Sequence, residues 1–586
     1  MFGGGATTIQ AAGDITTRDH ADGATILSNG NITIEPGSGS AFKSTGALLV
    51  KTTADDNIIN IKGDMVGVDV TGATSVETIT LTDDSAGGTV KIAGDIGTEF
   101  KSVTVTAGDL INLGGTITTV NTGSNNVDIN GPVTLTANTT IKTDANNGTI
   151  DFSDTIDGGF NLTLDSGAGA IGVGGAIGGS TPIKVLDINH GDGAGIITLA
   201  GGIGNQTTKA SGTTSGSAVD IGNATTTSIT LGKASVSRVF STDGATEFTT
   251  TGTNPDIDLT GTGVEFQTSD NTLTFTGGAI DLDDGSNLTI GTGSGDITLT
   301  AIRGDSNETV SITSSGTVNT KAIGNVHEIE TVGIEGGLIK IGGNITTDGD
   351  GNVTLTGPVQ LAADNITIDT SSVDGKGSGD GGNVRFTDKL DSVTGQAYAL
   401  TITTKDGTVQ VDDIIGSTTA LGALTINNNA TDTGTITLNG IGDGTAPALG
   451  SADVLIGSTG TTGITLKGAF YDTGAATYTT DGADITVQRA TAGTTEFGLS
   501  NEAAKFVGGN IKLADGTDLS IVTGSAVLEV VGVRGHSGED VSLSTSTGII
   551  TIGTGGIGNS NEINDVTLGG PTKLTGDIIT DATDGD

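Results

Sequence analysis

Phe275-Thr-Gly-Gly-Ala-Ile-Asp-Leu-Asp-Asp-Gly-Ser-Asn-Leu-Thr-Ile290 returns, at an offset of 231, as Phe506-Val-Gly-Gly-Asn-Ile-Lys-Leu-Ala-Asp-Gly-Thr-Asp-Leu-Ser-Ile521. The match runs on through Arg303-Gly304 and Arg534-Gly535. Alternation of apolar and polar residues marks strands that bury one face. Return of the whole block after a long interval marks a tandem array, built for surface and reach rather than around one active site.

The smallest unit is an apolar-polar-apolar triplet framed by Gly, Asn or Asp, as in Ile79-Thr-Leu81, Ile197-Thr-Leu199, Ile229-Thr-Leu231, Ile297-Thr-Leu299, Ile436-Thr-Leu438 and Ile464-Thr-Leu466. Ile and Leu fall on one face, and the β-branched Thr suits the pleated outer one. Gly-Asp-Ile at Gly94, Gly295 and Gly576 sets a turn residue directly before a strand. No stretch carries a helical period with caps. A sandwich calls for longer strands and a large aromatic core residue. These strands are very short and the chain has no Trp.

A right-handed parallel β-helix accommodates them, with small apolar residues inside and Gly, Asn and Asp at the corners. The expected fold is therefore all-β, a β-solenoid. Coils of roughly 20–24 residues at about 4.8 Å per strand would give about 27 coils and a rod of about 130 Å.

Composition narrows the class. Gly supplies 100 of 586 residues, more than twice the usual share of about 7%. Collagen is excluded, because there is no Gly-X-Y period and only seven Pro. Disorder is opposed by the regular apolar alternation. Zero Cys excludes disulfides and thiolate metal sites. With 68 Asp plus Glu against 24 Lys plus Arg, the net charge is −44. That charge disfavours nucleic acid and anionic membranes as partners. No apolar run approaches the roughly 20 residues of a membrane span. Met1-Phe-Gly-Gly-Gly-Ala lacks the basic and apolar regions of a signal peptide, so an export address would lie outside this sequence.

The long period extends further. Gly114-Gly-Thr-Ile117 matches Gly342-Gly-Asn-Ile345, and Gly131-Pro-Val-Thr-Leu135 matches Gly357-Pro-Val-Gln-Leu361 and, more loosely, Gly570-Pro-Thr-Lys-Leu574. Phe152-Ser-Asp154 returns as Phe386-Thr-Asp388, and Ala176-Ile-Gly-Gly as Ile414-Ile-Gly-Ser. A Gly-rich insertion, Asp374 to Gly382, accounts for part of the drift in spacing. These matches divide the chain into a partial unit, 1–110, a full unit, 111–338, and a second, slightly truncated unit, 339–586.

The Gly131-Pro-Val-Thr-Leu135 start, the Ser372-to-Phe386 loop and the Ile-Thr-Leu triplets resemble bacterial β-strand-repeat exoproteins of the filamentous-haemagglutinin adhesin type. The resemblance covers nearly the whole chain and rests on scaffold positions, so no functional residues are carried over. It implies a secreted or surface-attached solenoid with an adhesive, matrix or envelope role. Expected partners are host or cell-surface glycans or proteins, or further copies of the chain joined end to end or side by side.

Individual motifs read as scaffold. Asp348-Gly-Asp350-Gly-Asn352 opens like an EF-hand loop, but Val353 stands where Gly is required and Val359 where the bidentate Glu belongs. A solvated corner is expected there. The acidic surface fits diffuse Ca2+ binding better than a defined site, and no metal ligand set is assigned. Arg303-Gly-Asp305 spells an integrin-recognition tripeptide, yet its counterpart is Arg534-Gly-His536, so a shared turn explains both. His20, His190, His327 and His536 are too far apart for metal-ligand spacing. The sequons at Asn31, Asn161 and Asn344 follow from Asn- and Thr-rich composition. A β-helix polysaccharide-degrading enzyme would need clustered carboxylates and aromatic sugar platforms. The three Tyr (Tyr398, Tyr471, Tyr478) and the corner carboxylates do not supply them, so no catalytic or cofactor-binding residue is assigned.

Overall fold

The computed structural model describes residues 5–581 except 18–22, 69–76, 98–99, 120–125, 144–146, 192, 253–255, 306, 373–379, 445–452, 537 and 560. His20, the Val120-to-Gly123 counterpart of the EF-hand-like segment, positions 374–379 of the Gly-rich insertion and the chain after Asp581 lie outside the described residues. Two compact units divide the chain, Met1–Thr300 and Ala301–Asp586.

The described residues are all-β, without helix, and parallel strands stack into a β-solenoid of about 22 turns in all. In the first unit, one wall stacks Ile79 on Val103, Val127, Ile150, Ile171, Ile197, Ile229, Ile257 and Ile280. In the second, Val332, Val353, Val384, Val409, Ile436, Ile464, Ile485 and Ile511 stack likewise. All of these side chains are buried. The Ile-Thr-Leu triplets are thus the wall strands, as their alternation predicts.

The coils are fewer and longer than expected. Along these walls a short step takes the chain from Ile150 to Ile171, and the longest, from Ile197 to Ile229, is half as long again. The surplus sits at corners, because in-register pairing constrains only the few residues of each short strand.

Corner chemistry explains the Asn, Asp, Ser and Thr content. Many corner Asn and Asp side chains accept a backbone N–H from the next coil. Asn31 takes it from Ile58 at 2.9 Å, Asn344 from Thr367 at 2.9 Å, and Asp95 from Thr116 at 2.6 Å. Buried hydroxyls close turns by donating to a carbonyl shortly downstream, as Thr404 does to Gly407 at 2.8 Å and Thr545 to Gly548 at 2.8 Å. The side chains satisfy backbone groups that the wall ladders cannot reach.

Each unit also holds a cluster of four buried rings. In the first, Phe240 stacks on Phe266 and Phe248 on Phe275, with Phe266 edge-on to Phe248 and Phe275. In the second, Tyr471 stacks on Phe497 and Tyr478 on Phe506, with Phe497 edge-on to Tyr478 and Phe506. Three of the four positions repeat at the offset of 231 read from the sequence, and the fourth at 230. Tyr471 and Tyr478 are therefore core residues, and burial pushes both phenols well above their usual range. The Tyr471 hydroxyl donates to the Leu438 carbonyl at 3.0 Å, whereas the Tyr478 hydroxyl has no hydrogen-bond partner among the described residues.

Candidate binding groove

The motifs singled out in the sequence resolve mainly into scaffold. Asp348 is buried, not solvated: its amide donates to the Ile329 carbonyl at 3.0 Å and its carboxylate accepts from Gly349 at 2.7 Å. Asp350 is exposed beside it, and the two join no three-residue ligand group among the described residues. Of the sequons, Asn31 and Asn344 are the inter-coil brackets above, and the Asn161 amide donates to Asn138 at 3.1 Å. His190 and His327 are exposed and Tyr398 is half-buried.

The Arg-Gly turn is built around a residue that the sequence reading passed over. Glu308 is buried and accepts the amides of Asp305 at 2.5 Å and Asn307 at 3.2 Å. Its counterpart Glu539, also buried, accepts the amides of His536 at 2.6 Å and Gly516 at 3.2 Å. The two glutamates follow Arg303 and Arg534 at the same short distance, and their own offset is again 231, so the repetition was a signal available in the sequence. Asp305 is exposed, but its backbone belongs to this turn.

Parallel, in-register stacking also sets like charges side by side. Asp128 faces Asp151, Asp187 faces Asp220 and then Glu247, and Asp258 faces Asp281. Burial first, and the charge of Asp151 second, push the Asp128 carboxyl above its ordinary value of 3.8. Asp258 is raised by burial and then by Asp256 and Asp283, and Asp187 by burial with smaller contributions from Asp220 and Asp165.

A carboxyl with a raised folded pKa binds its proton more tightly in the native state. Its destabilisation is full above that folded value and is relieved as pH falls through it toward the unfolded value. The melting temperature is therefore expected to rise as pH is lowered from neutrality through the raised folded values toward the ordinary carboxylate value of 3.8. Asp258→Asn should raise melting at neutral pH and flatten this dependence. Melting temperatures that fall steadily over the same range would contradict the ladder account.

A concavity with convergent polar groups lies in the second unit. Val411, Leu438, Leu466 and Val487 are ladder partners on four successive coils. The residues that leave each strand, Asp412, Asn439, Lys467 and Gln488, line a half-open groove of about 550 Å³, with Asp413, Arg489 and Thr491. Arg385 pairs with Asp412 at 2.7 Å, and Gln410 donates to it at 2.5 Å. Burial raises the Asp412 carboxyl, but these hydrogen bonds and the charges of Arg385 and Lys467 outweigh it and hold the group below 3.8. Arg489 donates to the Thr494 carbonyl at 3.3 Å. Two cations thus converge on amide and hydroxyl groups beside Asp413 and Asp412, the latter already paired with Arg385, in a chain where acids outnumber bases by 68 to 24. Such a lining suits a polyhydroxylated ligand that carries an anionic group.

A smaller groove of about 310 Å³ lies in the first unit, lined by Lys209, Ser237, Arg238, Glu265 and neighbours. Ser237 and Arg238 correspond to Gly468 and Ala469 at the offset of 231, so both grooves border the strand that enters the aromatic cluster. Here the cations are already engaged, Lys209 with Glu265 and Arg238 with the Ala200 carbonyl at 2.9 Å. The sequence reading missed both grooves, since corner lengths decide which residues become neighbours. Comparison with known protein families, curated proteins and solved structures yields no match to this chain.

Proposed function

We propose that this chain is an extracellular structural and adhesive repeat protein, a non-catalytic acidic solenoid that works at a cell surface or in a matrix. The observation that supports the reading most is repetition of scaffold: the four-ring cluster and the buried-glutamate turn each occur twice at matching spacing. Several of the amide and carboxyl side chains are taken up as corner brackets and wall ladders. Contact with partners then arises from many weak surface groups acting together. The groove of Lys467 and Arg489 is one of these, and acidic cell-surface or matrix glycans fit its chemistry. This agrees with the resemblance to haemagglutinin-type adhesins.

The test is binding of the purified chain to immobilised uronate-containing and neutral polysaccharides. Retention on the acidic polymer is expected, weakened by salt and reduced by the double variant Lys467→Ala/Arg489→Ala. Equal retention of that variant would remove the groove from the account. Absence of binding to either polymer, with fibres of the chain visible by electron microscopy, would replace adhesion by a self-assembling filament.

A further inference from the structure

We infer that the Arg534-Gly-His536 turn is a binding site for a first-row divalent transition ion of the Zn2+ type, with His536, Asp515 and Glu539 as its ligands. One ligand atom from each residue lies within 4.8 Å of the other two. The His536 Nδ1 to Asp515 Oδ1 distance is 4.0 Å. Tetrahedral coordination with bonds near 2.1 Å places ligand atoms about 3.4 Å apart. The gap to close is therefore small, and it falls to the two exposed side chains, His536 and Asp515, which can rotate toward the ion.

Glu539 supplies the rigid part. One oxygen accepts the amide of His536 at 2.6 Å, and the other accepts the amide of Gly516, the residue after Asp515, at 3.2 Å. The buried carboxylate thus fixes the backbone of both other ligands. Each carboxylate oxygen carries more than one lone pair, so amide donors and an ion can share it. The nearby Arg534 guanidinium is directed to Asp484 at 3.5 Å.

Ligand chemistry selects the ion. Ca2+ and Mg2+ take oxygen donors, whereas an imidazole with two carboxylates suits Zn2+ and its neighbours. The corresponding turn at Glu308 has Asp305 where His536 stands, so it lacks the imidazole. The site belongs to one copy of the repeat, and water would complete its coordination.

The test uses the full chain, titrated with Co2+ and with Zn2+ in about 0.15 M salt and millimolar Ca2+ and Mg2+ to occupy the acidic surface. A single equivalent of Co2+ should give a visible ligand-field spectrum, and Zn2+ should displace it and raise the melting temperature. His536→Ala and His536→Asp should each weaken binding by on the order of 100-fold, since loss of even a supporting partner costs about 10- to 100-fold. Both substitutions change an exposed side chain, so the fold is retained, and Asp515→Asn provides a second exposed variant. No spectrum in the wild-type chain, or binding that survives His536→Ala undiminished, would overturn the assignment and leave only ions spread over acidic surface.

Discussion

Phe497→Ala is expected to destabilise the second unit by about 3–5 kcal/mol, the cost of removing a buried aromatic side chain that neighbours cannot replace. Phe497 is the hub of its cluster, with ring centroids 4.8 Å from Tyr471, 5.3 Å from Phe506 and 5.9 Å from Tyr478. Stacking in register lets few side chains shift into the vacancy, because each is held by the coils before and after it. Two of the three tyrosines in the chain lie in this cluster and there is no Trp, so near-ultraviolet circular dichroism reports on it directly. Denaturant unfolding followed by that signal measures the effect. A loss below about 1 kcal/mol would mean that the rings are not packed as described.

Gly535→Ala is expected to cost about 2–3 kcal/mol by overpacking. A Cβ at Gly535 would lie 2.6 Å from the Glu562 carbonyl oxygen, 2.7 Å from Ile563 Cδ1 and 2.9 Å from Glu539 Oε2. The first of these is backbone held in the solenoid and cannot swing aside. Gly304 has the same surroundings, with Ile329 Cδ1 at 2.6 Å and Glu308 Oε2 and the Glu328 carbonyl oxygen at 2.7 Å each. The repeated Arg-Gly thus keeps room for a buried carboxylate. Thermal melting checks the value against Gly13→Ala, where a Cβ meets nothing within 4 Å and a change within about 0.5 kcal/mol is expected. Equal melting of the two variants would sink the steric account.

The walls were legible in the sequence because their signal is local. Ile229-Thr-Leu231 declares its buried face by alternation alone, and its ladder partners Ile257 and Leu259 declare theirs in the same way. What was not legible depends on corner length. Asp515 and His536 meet because the coil that joins them is short, whereas a much longer one separates the ladder partners Val353 and Val384 on another wall. Nothing in either corner announces its length, so the residues that share a groove or a ligand set could not be aligned beforehand. The expectation of a solvated Asp348 failed for a related reason, since a Gly-flanked aspartate reads alike whether its side chain leaves the corner or folds beneath it. The turn around Glu308 and Glu539 was within reach, because both glutamates recur at the spacing that identified the repeat.

Freedom of corner length also bears on how such a chain changes over generations. Equivalent residues of the two copies stand 228 apart at Gly114 and Gly342, 234 at Phe152 and Phe386, 238 at Asn189 and Asn427, and 231 at Phe275 and Phe506. Asn189 and Asn427 nevertheless make the same buried bond, to the backbone amides of Ser166 and Thr404, each at 2.8 Å. Insertions and deletions have been absorbed where they cost the architecture least, as pages are added to a ring binder without disturbing the rings. New recognition chemistry can therefore be tried at one corner of one copy while its twin preserves the older form. Positions 305 and 536, aspartate in one copy and histidine in the other, differ at just such a corner.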